Sequence, residues 1–144
     1  MSSDNEFLCF INGEPADSIL VSDRGLSYGH GLFETIKISN KISPLLRYHL
    51  ERLTEGARAI GIACNEALLK KYFYQLLEMT PEDGVVKIIV TAGSGKRGYF
   101  YNKPNSACYI LQWCPIDTNF SLPRAQGVSL KCCQHRLPIS PLLS

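Results

Sequence analysis

Residues 46–90 read LRYHLERLTEGARAIGIACNEALLKKYFYQLLEMTPEDGVVKIIV, and this stretch decides the fold class. Leu46, Leu50, Leu53, Ala57 and Ile60 recur at three- and four-residue intervals, which lines one side of a helix. Gly61 follows, a residue suited to a helix C-terminus. Asn65 can cap a second helix, with Leu68, Leu69, Phe73, Leu76 and Leu77 on its apolar side. Pro81-Glu82-Asp83-Gly84 breaks the pattern. Val85-Val86-Lys87-Ile88-Ile89-Val90 is then a β-branched run, read as a buried strand.

Strands flank this centre on both sides. Phe7-Leu8-Cys9-Phe10-Ile11 is a short apolar run followed by Asn12-Gly13, a strong hairpin signal. The return strand is expected toward Ser18-Ile19-Leu20-Val21. A polar loop runs from Ser22 to Gly31. Leu32 to Ser39 reads as a strand, Asn40-Lys41 as a turn, and Ile42 to Leu45 as a segment pairing back. Ala107 to Trp113 reads as another strand, and Gly127 to Cys133 as one more. Strands, two helices, then strands give an α+β pattern: a mostly antiparallel sheet with two helices packed on it.

Bulk composition narrows the function classes. The 144 residues are 45% hydrophobic and 19% charged, as a globular domain requires. A net charge of +2 gives no reason to expect nucleic acid or a membrane surface as partner. The cysteines Cys9, Cys64, Cys108, Cys114, Cys132 and Cys133 form no C-x-x-C pair and complete no zinc spacing. Met1 to Glu6 is polar and acidic, without a basic leader, so a reduced, cytoplasmic protein is expected.

Gly93-Ser94-Gly95-Lys96-Arg97-Gly98 matches G-x-G-x-x-G. A dinucleotide site needs a helix after those glycines, because the pyrophosphate rests on its N-terminus. Tyr99 to Pro104 is aromatic, turn-like and closed by proline instead. A P-loop is excluded too: Val90 holds the first glycine's place and Arg97 replaces the Ser or Thr. A loop bearing two cations and an aromatic remains, suited to clamping an acidic small molecule.

Two motifs go further. Val21-Ser22-Asp23-Arg24-Gly25-Leu26-Ser27-Tyr28-Gly29-His30-Gly31-Leu32-Phe33-Glu34-Thr35 resembles the D-R-G-x-x-[YF]-G-D-G-x-[YF]-E segment of class IV aminotransferases, and His49-Leu50-Glu51-Arg52-Leu53 resembles their H-x-x-R-L helix start. Gly84-Val85-Val86-Lys87 and the loop Gly93 to Tyr99 look most like the 4-amino-4-deoxychorismate lyase branch. The branched-chain and D-amino-acid aminotransferase branches are the alternatives, with a non-catalytic remnant domain as a third. Residues 1–133 would be the small N-terminal domain of a fold type IV enzyme. Residues 134–144 would lead to a catalytic domain carrying the Schiff-base lysine just beyond Ser144. None of the chain's own lysines is expected in that role.

The resemblance implies pyridoxal 5'-phosphate as cofactor, a dicarboxylate substrate, a homodimer and a place in folate synthesis. It implies that Arg52 binds the cofactor phosphate, and that Arg97, Tyr99, Phe33, Glu34 and His30 face the substrate. His30 stands where the family usually has Asp. Phe33 stands where D-amino-acid aminotransferases carry a Tyr; lacking a hydroxyl, it disfavours that activity. His49 shares the helix face of Arg52. Arg24 is expected to hold its own loop. The reading requires Arg52 and Arg97 to border one hollow.

Overall fold

The computed structural model describes residues 8–100, 106–116 and 125–136. Its elements in chain order are β1 (Leu8–Ile11), β2 (Glu14–Pro15), α1 (Arg24–Tyr28), β3 (Gly31–Ile38), α2 (Leu46–Ala59), α3 (Glu66–Met79), β4 (Gly84–Thr91) and β5 (Cys108–Cys114). The five strands form one sheet in the order β2-β1-β5-β4-β3, every pairing antiparallel. This is the α+β architecture expected from the pattern of runs.

The hairpin turns at Asn12 and Gly13, both at positive φ, as its two-residue loop demands. Its return arm is shorter than expected. Pro15 has no N–H to continue a ladder, and the chain leaves the sheet after Ala16 donates to Cys9 O. Leu20 and Val21 are therefore exposed loop residues, not strand. Ile42 makes only an isolated bridge to Ser39, and the chain enters α2 four residues later. Gly127 to Cys133 forms no strand; Val128 and Leu130 are exposed and find no ladder. β-propensity without a partner strand leaves a segment unpaired. The loop expected from Ser22 to Gly31 contains α1, a third helix, capped when Asp23 accepts from Gly25 N.

Alternation along the strands sorts the sheet into two faces. Ile36, Ile38, Val86, Ile88, Val90, Tyr109, Leu111 and Trp113 turn inward and are buried beneath α2 and α3. Leu50, Leu53 and Ala57 of α2, with Leu69, Phe73 and Leu76 of α3, complete this core. Asn65 caps α3 by accepting from Leu68 N at 3.0 Å. No described helix is long and apolar enough to cross a membrane.

The helix α2 lies along β3 in a fixed antiparallel register. Ile60 meets His30, Gly56 meets Leu32, and Arg52 meets Glu34. Four helical residues advance about 6 Å and two strand residues about 6.6 Å, so the two elements stay in step. Gly56 lets Leu32 sit close against the helix: a Cβ on it would stand 2.7 Å from Leu32 Cδ1, and the leucine methyl would have to shift.

Gly84 allows a second close approach. A Cβ there would stand 2.2 Å from Nε1 of buried Trp113. Gly84→Ala is expected to destabilise the protein by about 1–3 kcal/mol through overpacking. Adding Trp113→Leu should make the alanine nearly neutral. Urea midpoints of the wild type, both single variants and the double variant form the check; additive losses would refute the contact.

Candidate functional site

β3 is an edge strand whose even-numbered residues face α2. Glu34 follows that parity and is buried at 6% exposure, among apolar neighbours that would penalise a bare charge. Two residues of α2 compensate it. Arg52 donates through Nε to Glu34 Oε1 and through Nη2 to Oε2, each at 2.5 Å. His49 donates through Nδ1 to Oε2 at 2.8 Å, since a carboxylate only accepts. His49 and Arg52 are three residues apart, one helical turn, so both reach the same carboxylate. Burial alone would push the Glu34 carboxyl up. The hydrogen bonds and charges of Arg52 and His49 outweigh it and hold the group below its ordinary value. Glu34 in turn pushes Arg52 further up.

The Arg52 side chain nevertheless remains 72% exposed. One edge of the guanidinium grips Glu34, and its remaining N–H groups have no partner among the described residues. That outer edge fits a phosphate: a fixed, permanently charged fork with free donors turned to solvent. Beside it, His49 borders a cavity of about 440 Å³ with Lys37, Ser39, Ser43, Pro44 and Leu45.

A second cluster joins the Asp23-Arg24 segment to the glycine loop. Asp23 is 2% exposed; its Oδ2 accepts from Thr91 Oγ1 at 2.8 Å, and Thr91 Oγ1 accepts from Gly93 N. Arg24, 4% exposed, donates to the carbonyl of Gly98 at 3.0 Å and that of Tyr99 at 3.5 Å. Its guanidinium also lies 4.6 Å from the Tyr28 ring centre. Tyr28 Oη accepts from Gly98 N at 2.6 Å, and the Tyr28 and Tyr99 rings stand 5.7 Å apart. Arg24 thus holds both its own loop and the next one. Asp23 and Thr91 are not legible as partners from sequence, because they stand 68 positions apart.

His30 links this cluster to α2. Arg24 Nε can only donate, so His30 Nδ1 accepts from it at 3.4 Å, and Nε2–H donates to Ile60 O at 2.9 Å. Both ring nitrogens face protein groups in this arrangement. Phe33 lies on the face of β3 opposite Glu34, 61% exposed, with Lys87 Nζ 4.7 Å from its ring centre. It borders a cavity of about 240 Å³ with Gly25, Leu26, Leu32, Ile89 and Ile110. Arg97 and Tyr99 are exposed, and Arg97 makes no hydrogen bond or ion pair among the described residues. Neither cavity is bordered by Arg52 or by Arg97, so these cavities do not supply the single hollow that the sequence reading requires of the two arginines. The sequence motifs pointed to Arg52, His49 and Glu34 separately. Their union, and the approach of Lys87 to Phe33, come from the α2–β3 and β3–β4 registers.

Other chemistries find less support among the described residues. No group of three or more His, Cys, Asp or Glu is placed to hold a metal ion. Burial pushes the Cys9, Cys64 and Cys108 thiols up, away from the thiolate a nucleophile needs.

The sequence model of the family described as amino-transferase class IV matches residues 31–139. The crystal structure of 4-amino-4-deoxychorismate lyase from Pseudomonas aeruginosa is similar at a TM-score of 0.85 and 40% identity, covering 94% of this chain and 50% of that one. An aminodeoxychorismate lyase of Vibrio harveyi is 27% identical over 135 residues, 94% of this chain and 50% of the relative. A D-alanine aminotransferase of Bacillus licheniformis is 36% identical over 84 residues, 56% of this chain and 30% of the relative. The chain spans about half the length of the lyases it matches.

The depressed Glu34 carboxyl has a consequence for stability. A group whose native pKa lies below its unfolded value stabilises the fold above the unfolded value, about 4.3 for Glu. That contribution is lost as pH falls through the lower native value. Urea midpoints between pH 7 and pH 3 should therefore fall less for Glu34→Gln than for the wild type. Asp83, also held low by Asn40 N and Ser39, titrates in both proteins and cancels from the difference. Parallel acid limbs would show that Glu34 is not coupled to folding.

Proposed function

Because the chain belongs to the class IV aminotransferase family, we propose that it forms the cofactor-phosphate and substrate-facing part of a pyridoxal-phosphate lyase that converts 4-amino-4-deoxychorismate to 4-aminobenzoate and pyruvate. The observation that carries this reading is the Arg52 guanidinium, held on one edge by a buried carboxylate and open on the other. The lyase branch, rather than an aminotransferase, is supported by the 40% identity to the Pseudomonas aeruginosa lyase and by Phe33, which has no hydroxyl for a substrate carboxylate.

In this reading Arg52 binds the cofactor phosphate through its outer edge. Pyridoxal phosphate, when bound, supplies the electron sink that lets a proton leave carbon. The substrate carries two carboxylates. The Arg97 guanidinium, on a loop that Arg24 and Tyr28 hold by Gly98 and Tyr99, is free to pair with one of them. Tyr99 and Phe33 supply apolar surface for the ring. His30 keeps the loop cluster fixed to the end of α2 through Ile60. Loss of the C4 proton and cleavage of the C3–O bond leave an aromatic ring and the enol of pyruvate, so atoms balance without an oxidant.

The lysine that moves the C4 proton is assigned to none of the described lysines. Lys41 donates to the carbonyls of Leu77 and Glu78 at the end of α3, and Lys87 covers Phe33. A homodimer in the cytoplasm, serving folate synthesis, completes the proposal.

The full-length protein with pyridoxal phosphate is expected to release pyruvate and 4-aminobenzoate in equal amounts from 4-amino-4-deoxychorismate. Amino transfer to 2-oxoglutarate without pyruvate release would replace the lyase by an aminotransferase. The 144-residue chain alone should show no absorbance band of lysine-bound cofactor. Borohydride trapping on a mapped lysine of this chain would reverse that assignment.

A further inference from the structure

Glu34 occupies a position where charge cannot be justified by solvation. It points under α2 at 6% exposure, one residue from exposed Phe33 and two from buried Ile36. A residue so placed needs a task that an apolar side chain cannot perform, because an apolar replacement of similar size would pack there without desolvation loss. Its two oxygens are both engaged, one by Arg52 and one shared by Arg52 and His49. Three of its roughly four acceptor sites are taken, and burial withholds the last from a ligand.

We propose that Glu34 is a positioning residue, which with His49 locks the exposed Arg52 guanidinium so that its outer N–H groups stand ready for a phosphate. The proposal rests on the reading of Arg52 as the phosphate residue. An exposed arginine normally samples many rotamers, and binding an anion must order it. Two parallel hydrogen bonds to a carboxylate fixed in a sheet remove most of that freedom beforehand, so the ordering loss is met in folding rather than in binding. Glutamine cannot substitute: it offers one accepting oxygen and turns an N–H₂ toward a guanidinium that only donates. Aspartate is one methylene too short to keep both contacts from the same strand position. His49 donates to Oε2 from the turn before, which prevents the carboxylate from rotating off the arginine.

Charge alone makes the opposite forecast, and this separates the two views. Glu34 is negative and lies beside the anion site, so deleting its charge would tighten phosphate binding if electrostatics ruled. Positioning requires that the same deletion weaken it.

The test compares dissociation constants of the full chain for pyridoxal phosphate and for pyridoxal, measured on the same sample. The ratio isolates the phosphate contact and cancels any loss of folded protein. Wild type is expected to prefer pyridoxal phosphate, and Arg52→Ala to abolish the preference. Glu34→Gln should reduce it on the order of tenfold, as loss of outer orienting partners does elsewhere, with Glu34→Asp between. A wild-type ratio near one, unchanged by Arg52→Ala, would overturn the phosphate role of Arg52 itself. A preference that Arg52→Ala abolishes but Glu34→Gln keeps or raises would overturn positioning alone. Relaxation of the Arg52 Nε–H in the wild type gives an independent check; a freely rotating guanidinium in the unliganded protein would also overturn it.

Discussion

The register between α2 and β3 is the constraint on which the rest depends. Apolar contacts set its depth, through a core that Leu50 and Leu53 of the helix share with Ile36 and Ile38 of the strand. They do not set its phase along the strand, because an aliphatic surface tolerates sliding. Three local contacts do: Leu32 seated over the missing side chain of Gly56, Ile60 O receiving the His30 N–H, and the Arg52 fork on Glu34. A shift by one helical turn would break all three and leave a buried carboxylate unpaired. Leaving a buried carboxylate without its partner is unfavourable, so the pair penalises other registers.

A second tether joins α1 to the loop after β4. Asp23 and Arg24 are buried at the start of α1, and their partners lie in the loop after β4. Five residues of helix have little stability of their own. Here the helix is kept because its Asp23 cap also binds Thr91 and because Arg24 reaches the carbonyls of Gly98 and Tyr99. Loop and helix fix each other. His30 connects this pair to α2, so the glycine loop and the Arg52 helix are held by one hydrogen-bonded sequence of side chains.

What the sequence made legible follows from range. Both long helices were readable within a residue or two, since fourteen residues carry several periods of apolar spacing. The strands β3, β4 and β5 were readable from alternation and β-branching. α1 was not: five residues hold too little periodicity, and its signal lay in a cap that doubles as a loop tether. Gly127 to Cys133 has strand composition, yet pairing is a tertiary event that composition does not report. At the site, Arg52 and Glu34 were each found through motif resemblance. Neither residue could be known as the other's partner, because they stand 18 positions apart across a reversal of the chain.

The division of labour within β3 then follows from the pleat alone. Successive side chains point to opposite faces, so Glu34 and Phe33 cannot serve the same side of the sheet. The inward residue fixes an arginine, and the outward residue offers an apolar ring beside a cation. A slip of one residue against β4 would exchange the two, placing a phenylalanine under Arg52 and a carboxylate beside Lys87. Edge strands are the ones most free to slip. β3 resists by pairing along its whole length, from Gly31 with Thr91 to Ile38 with Gly84. Gly84 at that far end must stay small for Trp113, and Gly31 at the near end must stay small because a Cβ would meet Val90 O at 2.9 Å. Gly31 therefore pins β3 on β4 and Gly84 pins β4 on β5, so the orientation of Glu34 toward Arg52 rests on residues that never touch it.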